Sequence, residues 1–167
     1  APVFGGEAQL AYVEMGPVGS DGVPWAVVVV DLQDGEVRRF RTIRPWEDAT
    51  LLPGTPLGWS DQGELVLDTF VPYSEGAFQG LWALTLPPSG SPDIDDLPRR
   101  KLLDGGSYMW PQLSPGGTHL LYLARDRSYT PAGYQTDFID MAVNQLWTLE
   151  VATGQATLIE EETGGGA

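Results

Sequence analysis

Apolar residues along this chain fall into short runs that come back at a fixed interval. The runs "LAYV" from Leu10, "LVLD" from Leu65 and "LLYL" from Leu120 start 55 residues apart each time. A second set follows, "VVVVDLQDGE" from Val27, "LWALTLPPSG" from Leu81 and "LWTLEVATGQ" from Leu146, spaced by 54 and then 65 residues. The third copy therefore carries a longer loop between its two runs. Within the second set polarity alternates with period two, which is the signature of a strand. Val28, Val30 and Leu32 share one face, matched by Trp82, Leu84 and Leu86 and by Trp147, Leu149 and Val151. Each of these strands ends in a dipeptide, Asp34-Gly35, Ser89-Gly90 or Thr153-Gly154, that supplies the positive-φ position a turn requires.

Shorter runs complete the pattern. Lead-in strands are predicted at Val3-Phe4, Leu57 to Trp59 and Trp110 to Leu113. Closing strands are predicted at Val37 to Ile43, Arg99 to Leu103 and Ala156 to Ile159. Helical periodicity is confined to Asp137 to Val143. The fold class that follows is all-β, with three four-stranded antiparallel up-and-down sheets, each the size of a β-propeller blade. The blades divide the chain at residues 1–45, 46–104 and 105–163, and residues 164–167 form a flexible tail. Together they make one propeller-like domain.

The segments that establish this repeat also carry a family resemblance. "LSPGGTHLLYLARD" followed by "NQLWTLEVATGQATLI" resembles the WD40-like repeat of periplasmic Tol-type propellers. That repeat runs Trp-Ser-Pro-Asp-Gly, an apolar strand, then a Leu-Trp strand closed by glycine. "WSDQGELVLDTF" with "GLWALTL" looks like a second copy, and "FGGEAQLAYVEM" with "VVVVDLQDGE" like a degenerate third. The family's turn aspartate is missing: Asp61-Gln62-Gly63 and Gly116-Gly117 stand in its place, so the glycine geometry survives and the aspartate's hydrogen bond does not. The resemblance implies an extracytoplasmic protein, periplasmic or secreted. Related propellers also precede the hydrolase domain of prolyl-oligopeptidase-like enzymes, where they gate substrate.

Composition narrows the partners. A formal charge of −14 with nine Lys and Arg argues against nucleic acid, whose phosphates demand a basic surface. No apolar run approaches the ~18 residues of a membrane-spanning helix. The basic residues cluster at Arg38, Arg39, Arg41 and Arg44 and at Arg99, Arg100 and Lys101, and are read as charged edge strands that discourage edge-to-edge pairing. Residues 1–6, "APVFGG", show no charged segment followed by an apolar core, so no signal peptide is visible there.

Candidate chemistry is sparse. There is no cysteine and one histidine, His119, read as structural or exposed. Neither a Cys- nor a His-based zinc site can be assembled, so no metal and no cofactor is expected. Ser60 lies in a turn rather than in a Gly-x-Ser-x-Gly elbow. Asp93, Asp95 and Asp96 in "PDIDDLP" offer hard oxygen ligands but lack the glycine and distal glutamate of a calcium loop. They are read as a solvated loop tip, and Glu160 to Glu162 as a solvated tail.

Closed propellers use about four to eight blades. Three blades leave two apolar faces, to be covered by further blades of a longer propeller, by a second copy, or by a different protein. The remaining candidates lie in the loops between second and third strands, at residues 15–24, 70–80 and 126–144. Their aromatic residues Tyr73, Phe78, Tyr129, Tyr134 and Phe138 are the expected rim contacts for a protein or glycan. The expected function is a non-catalytic binding or scaffold module, working through rim loops or open blade faces. The alternatives are a gating segment of a larger hydrolase and a structural unit that self-associates through its open faces.

Overall fold

A computed structural model of the chain describes residues 3–4, 8–15, 25–41, 53–70, 78–90, 92–104, 108–124 and 144–162. Among these residues the protein is all-β, and every predicted strand is present. Sheet 1 contains β1 (Val3–Phe4), β2 (Gln9–Met15), β3 (Trp25–Asp31) and β4 (Val37–Arg41) in that spatial order. Sheet 2 contains β5 (Pro53–Trp59), β6 (Leu65–Phe70), β7 (Phe78–Leu84) and β8 (Arg99–Asp104). Sheet 3 contains β9 (Met109–Leu113), β10 (His119–Ala124), β11 (Gln145–Glu150) and β12 (Ala156–Glu161). All neighbouring strands pair antiparallel, so each sheet is an up-and-down meander of propeller-blade type.

The spacing of the apolar runs translates into register. Leu10 pairs with Val30, Leu65 with Leu84 and Leu120 with Leu149, the same position in three copies. Turn chemistry repeats as well. Gly35, Gly90 and Gly154 all adopt the predicted positive φ, at 77°, 84° and 72°. Where the first and second strands meet, Gly63 and Gly117 do the same at 76° and 70°. The serine that opens those turns ties them down. Ser60 Oγ accepts the N–H groups of Gln62 and Glu64 at 3.3 and 3.1 Å, and Ser114 Oγ accepts that of His119 at 3.1 Å. In both turns the serine hydroxyl satisfies these backbone N–H groups.

The chain forms two compact units, Ala1–Gly106 with sheets 1 and 2, and Ser107–Ala167 with sheet 3. In the first unit, Ala11, Val27, Val29 and Phe40 of sheet 1 share a core with Leu65, Leu67 and Leu84 of sheet 2. Val13, Trp59, Trp82 and Leu86 pack around its margin. Burying aliphatic side chains of this size contributes about 1.5–3 kcal/mol each. The face of sheet 1 that meets sheet 2 is thus the Val27/Val29 face, opposite to the Val28/Val30/Leu32 face singled out by the alternation. Both faces of β3 are apolar, so periodicity alone could not rank them.

Sheet 2 differs from the other two between its third and fourth strands. There the tight turn is replaced by residues 85–98, closed at its base by the Thr85 N–H donating to Pro98 O at 2.9 Å. Inside it, Ile94–Asp96 forms a 3-10 turn capped by Asp93, whose Oδ1 accepts the Asp95 N–H at 3.0 Å. This corrects the expectation of a solvated tip. Ile94 and Leu97 are core residues, Asp93 is buried, and the Asp95 carboxylate is 1% exposed beside Arg99. Because the apolar residues flank the aspartates in sequence, docking Ile94 draws its acidic neighbours inward. Glu160 to Glu162 also depart from expectation. They are exposed, but Glu160 and Glu161 continue β12, and the Glu162 N–H donates to Asn144 O at 2.7 Å.

Arg38, Arg39 and Arg41 lie on β4 and Arg99, Arg100 and Lys101 on β8, the outermost strands of sheets 1 and 2, while Arg44 lies outside the described residues. Most of their charges are engaged within the first unit. Arg38 donates to Pro87 O and lies 5.9 Å from the Phe40 ring centroid, linking sheet 1 to the 85–98 segment. Arg39 pairs with Glu14 at 3.2 Å. Arg100 grips Glu64 with two nitrogens at 3.1 and 2.5 Å, while Lys101 pairs with Asp104 at 2.9 Å. Arg99 and Lys101 both approach the Trp82 ring, at 5.5 and 5.1 Å.

Candidate functional site

A loop can present contact residues only as accurately as its two roots are fixed. Of the predicted rim residues, Tyr73, Tyr129, Tyr134 and Phe138 lie outside the described residues, as does the helical candidate Asp137 to Val143. Phe78 is the first residue of β7, where its backbone pairs with Phe70. It therefore belongs to the strand that ends the loop rather than to the loop itself. The β-propensity of "FQGLW" outweighs the interruption by Gly80, which is accommodated by a φ of 141° and a register shift after Thr69.

The roots are held by buried polar groups. In sheet 2, Asp68 and Thr69 precede the loop at residues 71–77 and are 7% and 0% exposed. Asp68 Oδ1 accepts the Thr69 N–H at 2.9 Å, and Thr69 Oγ1 donates across to Gly80 O at 2.9 Å. The link ties the strand before the loop to the strand after it. In sheet 3, Asn144 plays the corresponding part at the end of residues 125–143. Its N–H donates to Ala124 O at 3.2 Å, its Nδ2 to Glu162 O at 3.4 Å, and its own carbonyl accepts from Glu162. Beside it, Gln145 Nε2 donates to Glu161 Oε1 at 2.7 Å, and Trp147 Nε1 to Gln145 Oε1 at 3.1 Å. Sequence reasoning passed over Asp68, Thr69 and Asn144. The available signal was the pair of polar residues inside the apolar run "LVLDTF" and an asparagine placed just before a strand.

The sequence also singles out His119 and Ser60. His119 is exposed at the start of β10, its Nδ1 2.9 Å from Thr118 Oγ1. Ser60 is committed to its turn. Among the described residues, no group of three or more His, Asp or Glu side chains is arranged to hold a metal ion. Also among the described residues, no helix is long and apolar enough to cross a membrane. Burial raises the Tyr122 hydroxyl above the ordinary tyrosine value, in a site where its ring meets Tyr108 edge to face at 6.5 Å.

Comparison with known proteins adds to the fold. A scan against protein families finds no match, and no curated protein matches the sequence. Solved structures do match. An acylaminoacyl peptidase, in complex with Z-Gly-Gly-Phe-chloromethyl ketone, aligns with a TM-score of 0.56 and 16% identity, over 96% of this chain and 24% of its own. A mutant of the Synechocystis apocarotenoid oxygenase aligns with a TM-score of 0.53 and 12% identity, over 95% of this chain and 37% of its own. The cobalt-substituted form of that oxygenase gives the same values. At such identities the likeness is one of fold, and it is propeller-like. The chain spans well under half the length of the structures it matches.

Proposed function

We propose that this chain is a non-catalytic binding or scaffold module of the WD40-like, Tol-type propeller kind, acting outside the cytoplasm. Its partner is a protein or a glycan, engaged by the loops between second and third strands or by the open faces of the sheets. The observation that carries this reading is the hydrogen bonding at the loop roots, the buried Thr69 Oγ1 to Gly80 O in sheet 2 and the N–H of the buried Asn144 to Ala124 O in sheet 3. Buried hydrogen bonds of this kind stabilise the scaffold little beyond what apolar residues would supply, but they fix where a loop leaves it. Rigid sheets with anchored aromatic loops are a familiar basis for recognition.

The test is direct. Replacing Tyr129 and Tyr134 by alanine should lower capture of partners from a glycan array or a periplasmic protein extract, while the melting temperature stays unchanged. Unaltered capture by the double variant would remove the rim from consideration.

The match to a peptidase favours one second reading, in which the chain is the substrate-gating part of a larger hydrolase. A reading frame that continues into a Ser-Asp-His domain would select it.

A further inference from the structure

The outermost strand of each sheet turns a row of backbone N–H and C=O groups to its open side, and such an edge templates a further strand unless something blunts it. Of the three, β12 is the least guarded. β4 buries Arg38 and Phe40, and β8 buries Leu102, whereas all six residues of β12 are exposed. Two of them are large and apolar, Leu158 at 39% exposed and Ile159 at 54%.

Register fixes which groups face outward. Antiparallel partners alternate between pairs that exchange hydrogen bonds and pairs that do not. The Glu150 N–H donates to Gln155 O at 2.9 Å and the Glu162 N–H to Asn144 O at 2.7 Å, so both ends of the β11–β12 ladder are bonded pairs. Following the register inward from each end, with one extra residue between Leu158 and Glu160, Ala156, Leu158 and Glu161 direct their N–H and C=O groups away from β11. The charge beside them is negative. Glu160, Glu161 and Glu162 are consecutive, and neither β11 nor β12 contains Lys or Arg.

We infer that β12 accepts an extended basic segment of another protein as a fifth strand of sheet 3. The segment's backbone meets the outward groups of Ala156, Leu158 and Glu161, and its Lys or Arg side chains meet the glutamates. Other occupants match this edge less well. A second copy offering its own β12 would set like charges against each other at Glu160 and Glu161. A second copy offering β4 or β8 would bring cations already engaged inside their own unit, Arg38 with Pro87 O, Arg39 with Glu14, Arg100 with Glu64 and Lys101 with Asp104. Sheets 1 and 2 each stop at four strands although the chain runs on past β4 and β8, so further sequence of the same kind builds a new sheet and leaves this edge open. The inference uses neither the rim loops nor the sheet faces invoked above.

The experiment titrates the full chain into a fluorophore-labelled peptide of alternating valine and lysine, eight residues long, and reads fluorescence anisotropy. The signal should rise and saturate, whereas a valine–glutamate peptide of the same length should give no rise. The lysine peptide with every backbone nitrogen methylated keeps its charge but cannot donate to a strand, and should bind more weakly by about tenfold or more. Leu158→Pro removes an outward N–H that the β11–β12 ladder does not use, which an edge strand tolerates. It should weaken binding by a similar factor at an unchanged melting temperature. Glu160→Lys with Glu161→Lys should weaken the lysine peptide and let the glutamate peptide bind.

A lysine peptide that does not bind would overturn the inference. Equal binding of the methylated peptide would do the same, because the attraction would then be charge alone. So would full affinity in a folded Leu158→Pro, or an unchanged preference in the double lysine variant. The methylated peptide requires no change in the protein, so it decides the matter even where a variant fails to fold. None of these readouts involves Tyr129 or Tyr134, so failure here and failure of the rim-loop reading are separate results.

Discussion

At the turn between the first two strands of a blade, one backbone torsion decides how well the copies obey their own pattern. Copy two places Gly63 at φ 76° two residues before Leu65, whereas copy one places Ala8 at φ 58° two residues before Leu10; copy three has its glycine one residue earlier, Gly117 at φ 70°. A side chain in this left-handed region costs about 1–2 kcal/mol, because its Cβ crowds the following carbonyl. Glycine escapes that clash but gives the unfolded chain more freedom, which offsets about 0.4–1 kcal/mol of the gain. Ala8→Gly should therefore stabilise the protein by about 0.5–1 kcal/mol, read as a higher denaturant midpoint with an unchanged slope. The reverse change, Gly63→Ala, should destabilise it by a similar amount. A Cβ at Gly63 would meet nothing within 4 Å, so its cost is purely one of torsion. A midpoint that does not move in either variant would show that the torsion is relieved by the neighbouring residues. The degenerate first copy was legible as such in "FGGEAQ", but the strained alanine was not, since nothing local distinguishes it from an ordinary turn residue.

Most of each strand was written into its sequence; what lies between strands was written less plainly. Val30, Leu84 and Leu149 each stand three residues after the start of their run, so Leu10, Leu65 and Leu120 meet equivalent partners although the runs are spaced evenly by 55 residues in one set and by 54 and 65 in the other. The 85–98 segment escaped because three aspartates dominate its composition while a single isoleucine dominates its energetics. Ile94→Ala should cost about 2–5 kcal/mol, since it opens a cavity between sheets 1 and 2 that rigid strands cannot close. Asp96→Ala, at an exposed position of the same turn, opens no cavity in the core and should cost less than Ile94→Ala. Thermal or denaturant unfolding of the two variants measures the difference, and equal losses would refute the docked isoleucine. In sheet 3 the informative residue is Tyr122, whose raised pKa comes from burial. The folded protein then holds the phenolic proton more tightly than the unfolded chain does. Tyr122 thus contributes stability fully present below the ordinary tyrosine pKa of about 10 and lost as pH rises through the higher folded value. Tyr122→Phe should flatten the alkaline end of the stability curve, and a decline above pH ~10 that is unchanged in the variant would assign that decline to other groups.

For the molecule as a whole, net charge works against compactness. Twenty-three Asp and Glu against nine Lys and Arg leave a formal charge of −14, whose self-repulsion destabilises the folded state. Ion pairs oppose that repulsion: Arg100 with Glu64 is part-buried, whereas Arg39 with Glu14 and Lys101 with Asp104 lie at the surface, where such pairs contribute little. Salt acts on both. The screening length falls from about 10 Å at 0.1 M salt to about 3 Å at 1 M. Because like charges outnumber the pairs, screening should relieve more repulsion than it removes attraction, and the melting temperature should rise between 0.1 M and 1 M sodium chloride. A melting temperature that falls over that range would assign the larger electrostatic contribution to the ion pairs.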